Sequence, residues 1–348
     1  MSLNNSSKPL VSVVMGVHNE REEHLRMAID SICNQTYNEL EFIIVDDFSN
    51  GDCKRVLSEY SDKYSYIQVI HNEVNLGLTR SLNIGFHLAT GEFIARMDAD
   101  DFSAPTRIEK QVEFLINCPD IQFCGTGVVS FGDSEVFMSP SKGLTNDEAQ
   151  CYLFFSSTLC HPSVMIRKSF LEQNNLSYDE NVKCGQDYDL WERASVFGKL
   201  VVLKEVLLFY RLHPDQITSS HKEEQDYYAN RIRLRRLSRL DLFPTEQEYA
   251  CHLLLACGVD RKISVHDVKC WCEKIIDAND HKGLVDRDVL RNDLKDRFVM
   301  YKLRNRYFKN LTSFDDLCRL FSLFSARIQM KRGIKQATRI FRNLNNNG

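Results

Sequence analysis

No window of this 348-residue chain holds the roughly 18 uninterrupted apolar residues of a membrane-spanning helix; its longest apolar candidates, Tyr249 to Cys257 and Leu317 to Phe324, are too short. The first ten residues, Met1 to Leu10, are polar and lack the apolar centre of a signal peptide. Of the 12 cysteines, only Cys270-Trp271-Cys272 brings two close together, and neither a CxxC pair nor a Cys/His zinc spacing occurs. Thiols in a reducing cytosol are therefore expected. The turn after the first apolar run, Gly16-Val17-His18-Asn19-Glu20, is not a G-x-G-x-x-G, and G-x-x-x-x-G-K-[ST] occurs nowhere. Nicotinamide dehydrogenases and P-loop NTPases are disfavoured on that ground. Internal repeats are lacking too, and the only low-complexity stretch is the polar end Asn343 to Gly348.

What remains is an ordinary globular composition, 43% hydrophobic and 26% charged, whose net charge of -4 is unevenly spread. From Arg297 to the C-terminus twelve Lys and Arg face only Asp315 and Asp316, a net +10 that leaves -14 on the other 296 residues. Val11–Val17 and Leu40–Val45 are continuous apolar runs, the pattern of strands buried on both faces, and Leu25, Ile29 and Ile32 between them have helical spacing. Strand, helix, strand within about 35 residues is a βαβ unit. The rhythm continues with a helix over 53–60, a strand at 67–70, a helix over 78–89 and a strand at 93–97, so the spacing predicts an α/β fold with a mostly parallel sheet. Polar groups follow the strand ends at His18, Asp47, His71 and Asp98, where an open parallel sheet lines its ligand crevice. Further along, helices are expected over 107–116 and from 185 to 197, and strands over 121–131, 161–167 and 200–210. Beyond Glu223 the pattern is helical, which places a boundary near Ser220: a catalytic domain over 1–220, with halves 9–101 and 102–220, then a helical region over 221–348.

The stretch Arg96-Met97-Asp98-Ala99-Asp100-Asp101 packs three carboxylates into four positions. Like charges so close raise one another's pKa unless a cation or strong donors compensate, and a hard divalent metal holding a phosphate is the natural partner. Asp101 reads as a residue of the turn and Arg96 as a charge-balancing neighbour.

Together with Val11 to Glu20, Val45-Asp46-Asp47-Phe48-Ser49, Asn75-Leu76-Gly77-Leu78, Ser81-Leu82-Asn83 and Gly185-Gln186-Asp187-Tyr188-Asp189-Leu190-Trp191, this cluster stands in the order and spacing of a known family. Over about its first 215 residues the chain resembles the family-two glycosyltransferases of the GT-A fold. The resemblance implies an inverting enzyme that takes a UDP-sugar donor, uses Mn2+ or Mg2+, and extends a glycan or polyprenyl-diphosphate-linked acceptor in O-antigen or capsule synthesis. It implies that Asp47 hydrogen-bonds the uracil, that Val17, His18, Asn19 and Glu20 flank the base, and that Arg80 lies near the diphosphate. Asp98-Ala99-Asp100 matches the family's Asp-x-Asp, with Asp100 on the metal and Asp98 facing the ribose or the metal's water. Asp187 falls where the family has its catalytic base, with Gln186 replacing the usual preceding Glu, and His213 falls where some members contribute a metal or phosphate contact.

His161 and Trp191 are candidate acceptor contacts, although Leu190, Trp191 and Ala194 also form one apolar helix face. Residues 297–342 alternate cationic and apolar positions, which suits either an anionic membrane surface on the cytosolic side or a helical bundle packed on the catalytic domain. Nothing pairs that charge with a nucleic-acid recognition motif. Sugar-phosphate nucleotidyl transfer and non-catalytic glycan binding are the rival readings.

Overall fold

The computed structural model describes residues 8–132, 143–212, 222–256, 258 and 263–307. Its frame is an eight-stranded sheet in the order β3-β2-β1-β4-β7-β6-β8-β5, formed by β1 (Val11–Val17), β2 (Leu40–Asp46), β3 (Ile67–His71), β4 (Phe93–Asp98), β5 (Phe102–Ser103), β6 (Ile121–Gly132), β7 (Met165–Arg167) and β8 (Lys199–Leu212). The first four strands are parallel, β7 runs antiparallel to both β4 and β6, β8 is parallel to β6, and β5 is antiparallel to β8.

Side chains alternate across the sheet with period two, and each face has its own helices. Val11, Val13, Met15, Phe42 and Ile44 pack against α1 (Glu22–Cys33), α2 (Gly51–Lys63) and α4 (Arg107–Asn117). Val14, Ile43, Val45 and Ile94 pack against α3 (Leu78–Leu88), α5 (Asn146–Tyr152) and α7 (Gln186–Ala194), with α6 (Lys168–Gln173) on the same side. Because both faces are covered, the strands read as unbroken apolar runs rather than alternating ones.

The expected strand at 161–167 is instead a 3₁₀ turn over His161–Ser163 followed by the short β7. Pro162 has no backbone N–H to give to a ladder, so pairing waits until Met165.

Helices α8 (Lys222–Ser238), α9 (Glu246–Ala256), α10 (Val265–Lys282) and α11 (Arg287–Tyr307) enclose a further apolar cluster. Into it the preceding part of the chain inserts Cys151, Phe154 and Phe155 beside Trp271, Ile275, Leu290 and Leu294. His252 lies in this interior, bonded through Nε2 to the Phe154 carbonyl at 2.8 Å and accepting from Trp271 Nε1 at 3.3 Å. Burial lowers its pKa to about 3, which keeps it neutral. At the start of the basic tail, Arg297 is buried under the Leu255 carbonyl and the Phe155 ring, and Tyr301 donates to the Ile263 carbonyl. These residues pack on the protein; 308–348, most of the segment expected to meet a membrane, lie outside the described residues. No helix among the described residues is long and apolar enough to cross a membrane.

Helix α8 clamps α7 through charge. Glu192, fully buried, accepts from Arg235 Nε at 2.5 Å and pairs with Arg239, while Asp189 accepts from Arg193 and Arg235. Burial alone would raise the Glu192 pKa, but Arg239 and Arg235 hold it below the usual carboxylate range. Its contribution is therefore present above the ordinary Glu pKa, near 4.3, and is lost as pH falls through the lower folded value. Glu192→Gln should cost about 2–3 kcal/mol of unfolding free energy in urea titration at pH 7, because two arginines lose a buried anion while remaining part-hydrated. A change below about 0.5 kcal/mol would show that the clamp contributes nothing.

Candidate active site

The parallel strands end in register. Val17 lies opposite Asp46, Gly16 opposite Asp98, and Asp46 opposite His71, so the chain leaves the sheet along one edge. Two linked turns cover that edge at β1 and β2. Asn19 (φ 51°) and Phe48 (φ 62°) both adopt left-handed backbone, a conformation that costs a bulky side chain on the order of 1–2 kcal/mol. The turns are tied by Asn19 N donating to Ser49 Oγ at 3.1 Å and Asn50 N donating to Asn19 Oδ1 at 2.8 Å.

Asp47 is buried, and its carboxylate accepts from the backbone of Leu76 (2.7 Å) and Gly77 (2.8 Å) and from Asn72 Nδ2 (2.9 Å). It thereby anchors the loop that opens α3, where Gly77 needs φ 85°. Asp46 serves structure: its oxygens take Ser49 N and His71 Nδ1. His18 and Asn19 are exposed, whereas the Val17 side chain is in the core, so only its backbone is available to a ligand. Glu20 turns to His24 at 2.9 Å, and Arg80 to Glu180 at 2.9 Å.

The acids at the end of β4 come together. One carboxylate oxygen each from Asp98, Asp100 and Asp101 lies within 4.8 Å of the others. Asp98 and Asp100 are partly exposed, Ala99 is buried between them, and Asp101 is fully buried. Asp101 braces the turn from a buried position. Thr106, not Asp101, precedes the next helix, and Asp101 Oδ1 accepts from Arg211 N at 2.8 Å while Oδ2 has no partner among the described residues. Burial, then Asp98 and Asp100, push its pKa well above the usual range, against Arg211 N–H and Arg96. The sequence signal for its role was its adjacency to Asp100.

Arg211, which sequence reasoning did not single out, secures this loop from β8: its Nε donates to the Asp100 carbonyl at 2.8 Å and its guanidinium lies 4.5 Å over the Phe131 ring. Arg96, 1% exposed, forms an ion pair with Asp98. A second buried arginine, Arg107, donates to the Arg96 carbonyl at 2.7 Å, and burial lowers its pKa to about 10.

Asp187 stands in the first turn of α7, admitted there by Gly185 at φ 76°. Ser157 donates its hydroxyl to Asp187 Oδ2 at 2.9 Å. Burial raises the Asp187 pKa above the usual range, opposed by the Tyr188 N–H, Ser157 and Arg96. The Tyr178 hydroxyl, pushed up by burial, carries charge contributions from Arg96, Asp187 and Asp98 together, and the Cys160 thiol carries contributions from Asp101, Asp98, Asp187 and Arg96.

His161 pairs through Nε2 with Tyr178 OH at 2.7 Å, and burial with Arg96 beside it lowers its pKa well below normal. Trp191 is 0% exposed, donating to the Leu159 carbonyl and packed edge-on to Phe123. It has no face to offer a sugar, so as an acceptor platform it is corrected to a core residue, whose truncation costs about 3–5 kcal/mol. His213 lies outside the described residues.

Residues 12–174 match the model of the family described as Glycosyl transferase family 2. An uncharacterised glycosyltransferase of Methanocaldococcus jannaschii is 36% identical over 234 residues, spanning 66% of this chain and 77% of that protein. The O-antigen biosynthesis glycosyltransferase WbnJ of Escherichia coli is 31% identical over 226 residues, 63% of this chain and 85% of that protein. The crystal structure of S. aureus TarS 1–349 in complex with UDP-GlcNAc shares the fold, with a TM-score of 0.56 at 18% identity over 85% of this chain and 91% of that one. Nucleotidyl transfer is set aside by these findings: the chain belongs to glycosyltransferase family 2 and is built on the GT-A fold.

Proposed function

We propose that the protein moves a sugar, with inversion, from a UDP-linked donor to a hydroxyl of a glycan acceptor in surface-polysaccharide synthesis. The observation that carries this reading is the acid cluster at the end of β4, where one carboxylate oxygen each from Asp98, Asp100 and Asp101 lies within 4.8 Å of the others, in a chain of glycosyltransferase family 2. The donor class is supported by TarS, crystallised with UDP and with UDP-GlcNAc, and the product class by the E. coli O-antigen relative.

An all-carboxylate set suits a hard dication, Mn2+ or Mg2+, and the unpartnered buried oxygen of Asp101 fits a ligand role beside Asp98 and Asp100. When bound, such an ion neutralises charge developing on a departing diphosphate. At the nucleotide end, exposed His18 and Asn19 would flank the base while Asp47 braces the adjoining loop and offers its remaining lone pair to the uracil. Arg80 must leave Glu180 to reach a phosphate, a modest cost for an exposed pair.

At the other end, Asp187 takes the acceptor proton. The acceptor oxygen bonds to the anomeric carbon, the bond from that carbon to the diphosphate breaks, and UDP leaves with the electron pair. Burial makes Asp187 a stronger base than an ordinary carboxylate, and Ser157 fixes its orientation. His161, neutral and bound to Tyr178, lines the acceptor side without carrying a proton in the reaction. The basic tail would hold the enzyme at an anionic membrane face, where polyprenyl-diphosphate-linked acceptors are presented. Since Arg297 is packed, that charge comes from the basic residues after it.

Asp187→Asn should lower UDP release in the presence of a competent acceptor by about 10²–10⁴-fold while leaving UDP binding unchanged. In the wild type the acid limb of kcat/KM should lie above the ordinary Asp value of about 3.9, since a base with a raised pKa is protonated sooner as pH falls. Wild-type turnover in Asp187→Asn would end this mechanism. Liposome flotation at low salt should show anionic vesicles retaining the full chain more than one truncated after Tyr307; equal partitioning would remove the membrane role.

A further inference from the structure

Arg96 is an unusual neighbour for a cation site. The Arg96 side chain is 1% exposed, Nη1 forms an ion pair with Asp98, and neither Nε nor Nη1 has a geometrically formed hydrogen bond among the described residues. A guanidinium does not shed its proton, so a fixed positive charge occupies one of the three carboxylates that lie within 4.8 Å of one another. Arg107, the other buried arginine, has its Nη2 on the Arg96 carbonyl and its Nε on Gln111 Oε1 at 3.1 Å. Arg211 gives its Nε to the Asp100 carbonyl and its backbone N–H to Asp101 Oδ1, each at 2.8 Å.

We infer that Arg96 is an internal counter-ion that holds Asp98 until the donor arrives and so makes cation binding depend on the nucleotide. The inference rests on reading the acid cluster as a divalent-cation site. A dication approaching Asp98 meets the Arg96 charge in a position that solvent screens poorly, so the cluster binds the ion weakly by itself. A diphosphate brings negative charge that offsets Arg96, and the ion and the nucleotide then enter together. Such coupling is reciprocal: whatever factor UDP adds to the affinity for the ion, the ion adds to the affinity for UDP. Arg96 thus acts as a positioning residue, touching Asp98 rather than the reacting atoms.

The test is a titration of Mn2+ alone, read by the electron paramagnetic resonance of the free ion, into the full chain with and without UDP. Wild-type protein should bind Mn2+ at least about tenfold more tightly when UDP is present. Arg96→Met, which keeps the stem and removes the charge, should bind Mn2+ alone about tenfold more tightly than wild type and lose most of the UDP dependence. Arg96→Lys should stay close to wild type. An Arg96→Met protein that binds Mn2+ alone no more tightly than wild type overturns the inference. Should that variant fail to fold by near-ultraviolet circular dichroism, the wild type decides by arginine side-chain NMR. The Arg96 Nε–H resonance, assigned by its loss in Arg96→Lys, should shift with Mg2+ and UDP together and stay put with Mg2+ alone. A signal that does not move when both are bound contradicts the proposal. If no form takes up Mn2+ even with UDP, the cation site itself is wrong and the inference falls with it, an outcome distinct from a wild type that binds normally while Arg96→Met matches it.

Discussion

A buried guanidinium among carboxylates sets the terms for the whole crevice. Arg96 pairs with Asp98, opposes the upward pressure on the Asp101 and Asp187 pKa values, and helps keep His161 neutral. Without that charge the repulsion of buried Asp101 by Asp98 and Asp100 would go less opposed. With it, the upward shift at Asp187 is restrained, and Asp101 Oδ2 stays without a hydrogen-bond partner among the described residues. Strand β4 delivers both sides of this balance two residues apart, Arg96 inward and Asp98 to the crevice.

Other elements serve to hold that arrangement. The short pairing of β5 with β8 aligns Arg211 so that its N–H and its guanidinium both grip the Asp100-Asp101 turn. Asp47 fixes the loop that opens α3, and Asn83 on α3 in turn exchanges hydrogen bonds with the Tyr178 backbone. On the far side, Arg235 of α8 and Arg239 just beyond it fasten α7 through Asp189 and Glu192, two and five residues beyond Asp187 in the same helix. The C-terminal helices are therefore mechanically continuous with the helix that carries Asp187.

The central strands and the helices between them were legible because a sheet covered on both faces writes itself as apolar runs with polar ends. Asp98, Asp100 and Asp187 were legible from acid density and from a family's motif order. Asp101 was undervalued because adjacency in sequence does not reveal which carboxylate of a cluster is buried; its burial depends on Arg211, 110 positions later. The two-residue β5 carries too few side chains to show a period. Trp191 was ambiguous for a physical reason: a helical apolar face looks the same whether it meets a core or a ligand, and here Phe123 and the Leu159 carbonyl fill it. The pairing of Arg80 with Glu180 was equally hidden, since an exposed ion pair leaves no trace in spacing.

The most direct test of the account is a crystal structure with Mn2+ and UDP, read by the anomalous signal of the metal. The account predicts one strong peak coordinated by Asp98–Asp101 carboxylate oxygens and the diphosphate, with the Asp187 carboxylate facing the same crevice. A peak held by other residues, or an Asp187 side chain turned away from the diphosphate, would contradict it.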